Sequence, residues 1–187
     1  IIIMQSLSGI LVVSIEQAVA APLCTARLAN AGARVIKVER RDGDFARYYD
    51  NTIKGESSYF TWLNQGKESI VLDFKEKKDR QLLLAITDKA DVFVQNLKPN
   101  SLEKYNLDSV SLRKRNSNLI TCDISGFGED KKSKPYKAYD LIVQAESGLL
   151  GVSGVPEEPG RIGISICDIG AGITSYTAVL EGLVRKY

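Results

Sequence analysis

Five short runs rich in β-branched and apolar residues, with helical patterns between them, constrain this chain more than any other feature. The runs are Ile10-Leu11-Val12-Val13, Val35-Ile36-Lys37-Val38, Ser69 to Asp73, Val92-Phe93-Val94 and Leu119 to Ile124. Nearly continuous apolar runs of this length suit strands buried on both faces. The segment from Ala20 to Ala31 reads as a helix, with Pro22 tolerated in its first turn and Gly32 as its C-cap. A second helix spans Lys77 to Asp88, with Leu82, Leu83 and Ile86 on its apolar side, and short helices fall near Ser101 to Tyr105 and Ser109 to Asn116. Such alternation predicts an α/β fold: a doubly wound, mostly parallel Rossmann-like sheet with right-handed crossovers, flanked by helices. The polar, Gly-containing segment from Asp42 to Ser58 reads as a loop with little regular structure. Beyond the fifth strand come a Lys-rich loop from Gly128 to Lys134, a helix near Tyr139 to Glu146 and a Gly/Pro loop from Gly148 to Gly163. A last helix begins near Ile169 and runs to Tyr187.

Composition removes several classes of function. With 187 residues, 44% of them hydrophobic, the chain is long enough to bury a core and too apolar for disorder. Its 25 basic and 23 acidic side chains leave a net charge of +2, which gives no footprint for nucleic acid. No apolar run approaches the roughly 20 residues of a membrane span, so neither nucleic acid nor membrane is an expected partner. The opening Ile1-Ile2-Ile3-Met4 lacks the basic start of a signal peptide and reads as the edge of a fragment. There is no histidine, which excludes Ser-His-Asp, Cys-His and His-ligated metal schemes within this chain. The cysteines, Cys24, Cys122 and Cys167, form no CxxC pair; no metal is expected, and buried reduced thiols fit a reducing cytoplasm.

In a sheet of this kind ligands bind beyond the carboxyl ends of the strands. The residues there are Glu39, Arg40 and Arg41 after the second strand, and Asp73, Phe74 and Lys75 after the third. Asn96, Leu97 and Lys98 follow the fourth, with Lys104 a short helix further on, and Lys137 precedes the helix after the fifth. Basic groups thus recur along one edge of a nearly neutral chain. They are either solvated surface charge or a rim that anchors a polyphosphate through charge-assisted hydrogen bonds. A dinucleotide fold would need GxGxxG after the first strand, but Ser14-Ile15-Glu16-Gln17-Ala18-Val19 has no glycine, so Glu39 only imitates a ribose-binding acid. There is no GxxxxGK[ST] P-loop. Gly151-Val152-Ser153-Gly154-Val155 lacks the last glycine of a nucleophile elbow.

The most informative segment is Ser165-Ile166-Cys167-Asp168-Ile169-Gly170-Ala171-Gly172. Asp168 stands where a helix begins, and two roles are open. It is an ordinary N-cap, or it is a carboxylate held ionised by the helix dipole, with Gly170, Ala171 and Gly172 leaving room for a substrate. An ionised carboxylate beside an acyl thioester is a competent nucleophile.

These residues resemble a known family, the family III CoA-transferases, which includes the formyl-CoA and carnitine CoA-transferases and the acyl-CoA racemases. The resemblance rests on Ala21-Pro22-Leu23-Cys24-Thr25, Ala33 to Arg40, Asn64 to Lys75, Ala90 to Asn96, Ala138 to Ala145 and Asp168-Ile169-Gly170. It covers nearly the whole chain, in order, and is nearest to members that handle small dicarboxylates such as itaconate or mesaconate. It implies that Asp168 is the nucleophilic aspartate, which attacks acyl-CoA to form a mixed anhydride and then an aspartyl-CoA thioester that an acceptor carboxylate resolves. It also implies basic or backbone contacts to coenzyme A from Arg40, Lys75, Lys98, Lys104 and Lys137. Val19 and Ala20 match the turn where the pantetheine passes. Leu72, Asp73 and Phe74 match an adenine-side segment, and Asn96 and Leu97 its neighbour.

The racemases of this family use a His beside an Asp, where this chain has Tyr139 and Asp140; without histidine, acyl transfer is favoured over racemisation. Family members run to about twice this length as interlocked homodimers. The resemblance therefore implies that residues 1–187 are the N-terminal part of a large CoA-binding domain. A smaller domain and a Gly-rich covering loop would lie outside this chain, and the chain alone is expected to turn over poorly. A racemase or isomerase on the same scaffold, or an inactive CoA-binding module, remains the alternative.

Overall fold

The computed structural model describes residues 5–128 and 137–186. Strands β1 (Leu11–Ile15), β2 (Arg34–Glu39), β3 (Glu68–Val71), β4 (Val92–Gln95) and β5 (Ile120–Asp123) form one sheet in the order β3-β2-β1-β4-β5. Every neighbouring pair is parallel. The chain moves outward from β1 to β3 and then returns to place β4 on the other side of β1, so the strand order reverses there, the position where such sheets open a crevice.

Side chains alternate between two faces with the period of a strand. On one face Val12, Val35, Val92 and Val94 pack with Ala21, Cys24 and Leu28 of α1 (Ala20–Asn30). On the other, Val13, Ile15, Val38 and Phe93 pack with residues that include Leu83 of α3 (Lys77–Thr87) and Leu112 of α4 (Ser109–Arg115). The expected doubly wound sheet is the one that forms.

Four local expectations need correction. β1 runs to Ile15, so the turn after it is shorter than the sequence suggested. The segment read as a loop holds a 3-10 turn at Phe45–Tyr48, and its last residue opens α2 (Ser58–Asn64). Apolar periodicity could not reveal α2, because its start is made by polar caps: the Ser57 hydroxyl accepts from the Phe60 N–H at 3.3 Å and Asp50 from the Ser58 N–H at 3.0 Å. Near Ser101 to Tyr105 only a 3-10 turn forms, at Glu103–Tyr105, closed by Asn106 in a left-handed conformation (φ 56°). After α5 (Asp140–Glu146), the Gly/Pro loop contains α6 (Leu149–Val152) and a small hairpin of β6 (Gly154–Val155) and β7 (Glu158–Pro159). Beyond Gly128, the Lys-rich loop lies outside the described residues.

The last helix, α7 (Ile166–Lys186), begins three residues before Ile169 and packs beside α1, adding Val179 and Leu183 to its core. The Lys186 ammonium donates to Asp91 at 2.7 Å, just before β4, while the other end of α7 meets the first turn of α1 at Gly172. α7 therefore runs antiparallel to the strands, and its N-terminus lies at their carboxyl ends. No helix among the described residues is long and apolar enough to cross a membrane. All three cysteines are free, but only Cys24 is buried; Cys122 and Cys167 are half-buried, short of the burial expected for all three.

Candidate active site

The first turn of α7 brings Asp168 to the carboxyl edge of the sheet. The Ser165 carbonyl accepts from the Ile169 N–H at 2.9 Å, which makes Ser165 the N-cap and puts Asp168 at the third helical position. Asp168 is therefore not the cap. That work is done by Asp140, the first residue of α5, whose Oδ1 accepts from the Cys167 N–H at 2.8 Å and the Asp168 N–H at 3.1 Å. Its Oδ2 accepts from Gln144 Nε2 at 2.6 Å. Gln144, one turn further along α5, is buried, and its Oε1 accepts from the Ile162 N–H at 3.0 Å. Asp140 and Gln144 together thus fix the segment that leads into α7.

The Asp168 carboxylate itself accepts no hydrogen bond among the described residues. Burial, and then the nearby charge of Asp140, push its pKa from the ordinary 3.8 to about 6. The helix N–H groups that were expected to hold it ionised are instead engaged by Asp140, and burial raises its pKa. A carboxylate of this kind is still mostly ionised at neutral pH and is poorly solvated, which suits a nucleophile. The adjacent Cys167 thiol is pushed up as well, by burial and by Asp140 and Asp168, and so stays protonated.

The two glycines expected to make room behave differently. A Cβ at Gly170 would meet nothing within 4 Å, whereas one at Gly172 would lie 2.7 Å from the Ala20 carbonyl oxygen and 2.9 Å from Leu23 Cβ. A Cβ at Gly170 would stand in the open, but Gly170 is two residues on from Asp168 and faces another side of the helix. Gly172 instead allows α7 to close onto α1, and it sets the depth at which Asp168 sits.

Around this point gather apolar and aromatic residues, of which Tyr49, Tyr59 and Leu63 were passed over by sequence reasoning. Ala18, Tyr59 and Ile169 pack against the buried Val19, Leu23 and Leu63. Tyr59 contacts Tyr49 edge-on, ring centroids 5.9 Å apart. The Tyr49 hydroxyl is pushed up to about 12, by burial first and then by Asp44, Asp168, Tyr139 and Tyr59. It remains a neutral donor within electrostatic reach of Asp168. The sequence signal was the aromatic density from Phe45 to Trp62, which a loop has no need to carry.

The structure places the expected binding residues in three groups. Arg40, Lys75 and Lys98 follow β2, β3 and β4, are exposed, and share the carboxyl edge of the sheet with Asp168. Arg40 Nε donates to the Gly43 carbonyl at 3.1 Å, and Lys104, also exposed, lies over the Tyr105 ring at 4.9 Å. Lys137 is exposed just before α5. In the second group, Leu72 is buried and its N–H donates to the Glu39 carbonyl at 3.0 Å, while the Asp73 N–H donates to Asp79 at 2.9 Å. Phe74 stacks edge-on against Tyr105 at 5.3 Å, and Leu97 and Lys98 line a cavity of about 420 Å³ between the ends of β4 and β5. The third group gathers at the turn after β1: Val19 and Ala20 are buried there, and the Asn96 side chain, from just after β4, bonds the backbone of Gln17 in both directions, at 2.9 and 2.8 Å. Glu39 is closed to any ribose, because it accepts from Arg47, Ser69 and the Asp44 N–H.

The family model for CoA-transferase family III matches residues 7–187. The chain is 37% identical to the succinate–glutarate CoA-transferase of Agrobacterium fabrum over 188 residues, covering 96% of this chain and 47% of that protein. It is 36% identical to the acetyl-CoA:oxalate CoA-transferase of Acetobacter aceti over 181 residues, 95% of this chain and 46% of the relative. The crystal structure of a CAIB/BAIF family protein from Brucella suis superposes with a TM-score of 0.90 at 34% identity, over 96% of this chain and 49% of that one. The chain thus spans about half the length of the relatives it matches. A parallel sheet with a poorly solvated aspartate at its carboxyl edge and a match of this extent lead to one family: the chain belongs to CoA-transferase family III.

Proposed function

We propose that the intact protein moves coenzyme A from an acyl-CoA thioester to a free carboxylic acid, with Asp168 as the nucleophile. The observation that carries this reading is the position of Asp168: at the carboxyl edge of the sheet, desolvated to a pKa of about 6, and without a hydrogen-bond donor among the described residues. An oxygen of Asp168 attacks the thioester carbonyl; a C–O bond forms, the C–S bond breaks and CoA leaves as its thiolate. The thiolate attacks the Asp168 carbonyl carbon of this mixed anhydride, expels the donor carboxylate and leaves an aspartyl-CoA thioester. The acceptor carboxylate attacks that thioester and releases the thiolate again. The thiolate then takes the acceptor acyl group and restores the Asp168 carboxylate. No net proton is consumed, which fits a chain without histidine.

Arg40, Lys75, Lys98, Lys104 and Lys137 anchor the CoA phosphates in this reading, with Leu72, Asp73, Phe74 and Leu97 on the adenine side and Val19 and Ala20 along the pantetheine. A small dicarboxylate is the proposed acid, supported by relatives named for glutarate and oxalate. Residues 1–187 are read as the N-terminal part of the CoA-binding domain of a homodimeric, cytoplasmic enzyme, with the smaller domain outside this chain. Racemisation is the weaker reading, because both oxygens of Asp140 are engaged, by two backbone N–H groups and by Gln144.

The test takes the intact protein with acetyl-CoA or succinyl-CoA as donor and oxalate or glutarate as acceptor. CoA exchange and a hydroxylamine-labile adduct on the peptide carrying Asp168 are expected, and Asp168→Asn should lose both while staying folded, since an amide cannot form the anhydride. Full transfer in that variant, or an adduct mapping to Cys167, overturns the assignment.

A further inference from the structure

The turn between β1 and α1 carries an unusual concentration of restraints. Ala18 has φ +62°, a left-handed conformation that costs a residue with a Cβ roughly 1 kcal/mol or more. Nothing in its own sequence favours that conformation. It is imposed from two other parts of the fold. Asn96, just after β4, accepts from the Gln17 N–H at 2.9 Å and donates to the Gln17 carbonyl at 2.8 Å. Asp44, in the loop after β2, accepts from the Ala18 N–H at 3.0 Å through Oδ1, which also takes the Ala46 N–H at 2.9 Å. The other oxygen of Asp44 accepts from the Lys37 ammonium at 2.7 Å, and both side chains are almost fully buried. The backbone of Gln17 and the N–H of Ala18 are thus held by two side chains from either side of β1. The next residues, Ala18 and Val19, belong to the cluster that includes Ile169, the residue after Asp168.

We propose that Asn96 and Asp44 are positioning residues, which hold the Gln17–Ala18 turn in its left-handed path so that the acyl thioester is presented to Asp168 at attacking distance. Asn96 then acts through the turn and not as a contact to coenzyme A, although the family resemblance puts it among the CoA-binding positions. Its amide oxygen and one N–H of its amide nitrogen are engaged by Gln17. The inference rests on Asp168 being the nucleophile. A misplacement of about 1 Å at a reacting centre costs on the order of 100-fold in rate, so loss of the clamp should appear in the chemical step and not in CoA affinity.

The experiment compares the intact protein with its Asn96→Ala and Asn96→Asp variants, the second retaining only the acceptor for the Gln17 N–H. CoA affinity is read by titration, and formation of the Asp168 adduct from succinyl-CoA by quenched-flow mass spectrometry. The expected result is an adduct rate lower by roughly 10- to 100-fold with the Kd for CoA within a factor of about three, and a smaller loss for Asn96→Asp. If Asn96→Ala does not fold, as judged by circular dichroism, Asn96→Asp decides on the same two readouts. A Kd that weakens in step with the rate makes Asn96 a CoA contact and overturns the inference, as does an unchanged rate. Absence of the adduct in the unaltered protein overturns the role of Asp168 and this inference with it. An adduct that forms equally fast in all three proteins overturns the inference alone.

Discussion

Two sets of charged side chains occupy neighbouring parts of the molecule in opposite conditions. Beneath the β1–α1 turn, Glu16, Lys37, Asp44 and Lys67 are sealed from water and pair with one another: Lys67 with Glu16 and Lys37 with Asp44, each at 2.7 Å. Asn64 bridges the two ammonium groups, at 2.8 Å from Lys37 and 3.2 Å from Lys67. Burial pushes Glu16 up, but Lys67 and Lys37 outweigh it and hold its carboxyl below the usual value. A few residues away, Arg40, Lys75 and Lys98 stand exposed along the rim with no carboxylate in a salt bridge among the described residues. Charges of the first kind are answered within the fold and fix its geometry. Those of the second kind are left for solvent or a ligand. Asp168 lies between the two: half-buried where the first set is sealed, and unpaired like the second.

That contrast is tested most severely at Lys37. Replacing it by Met leaves Asp44 buried without its ammonium and Glu16 with only Lys67. Breaking a buried pair on one side typically costs about 3–5 kcal/mol, so urea denaturation of Lys37→Met should show a loss in that range, with the Ala18 turn released as well. A loss below about 1 kcal/mol, the range of an exposed pair, would show that the cluster is not the anchor its burial suggests.

The rim should respond in the reverse manner. Lys75→Glu or Arg40→Glu should leave the denaturation midpoint nearly unchanged and weaken CoA binding by roughly 1–3 kcal/mol, the range for hydrogen bonds to charged groups. Calorimetric titration of the intact protein with CoA measures it. Equal affinities in the variants and the unaltered protein would return these residues to plain surface charge.

Much of this was legible in the sequence because it is local. The five strands, α1, α3 and α4 are written in runs such as Val92-Phe93-Val94 and in the spacing of Leu82, Leu83 and Ile86. The parallel order then puts the residues after each strand on one edge. What was not legible depends on partners far along the chain. The cap of α7 comes from Asp140, 28 residues before Asp168, so local reading made Asp168 a candidate cap and did not show that burial would raise its pKa. Gly172 looked like space for a substrate, yet it is closed by Ala20, which only the packing of α7 on α1 brings there. Lys37 sits in an apolar run as though it were an edge residue, and its burial follows from Asp44 and Asn64 reaching it from a segment without apolar periodicity.

Asp168 supplies the smallest effect and the one that most sharpens the contrast. Its folded pKa of about 6 stands above the ordinary 3.8, so the folded state holds its proton more tightly than the unfolded state does. The sign follows: below pH 3.8 the carboxyl is neutral in both states and costs nothing. As pH rises toward 6 the unfolded chain ionises first, and stability falls. Above about 6 the full cost of keeping an ionised carboxylate buried and next to Asp140 is present. A pKa difference of this size corresponds to about 3 kcal/mol at most, and partial exposure of the side chain reduces it to about 1–2 kcal/mol. Asp168→Asn, which keeps the shape without the charge, should therefore be more stable than the unaltered protein at pH 7.5 and equal to it near pH 4. Transfer by the unaltered protein should fall by half near pH 6 as the nucleophile protonates, so one side chain would lower stability and support catalysis over the same pH range. Paired thermal melts from pH 4 to 8 decide it: a stability difference that is flat with pH would mean that Asp168 is solvated like the rim, and that burial does not set its chemistry.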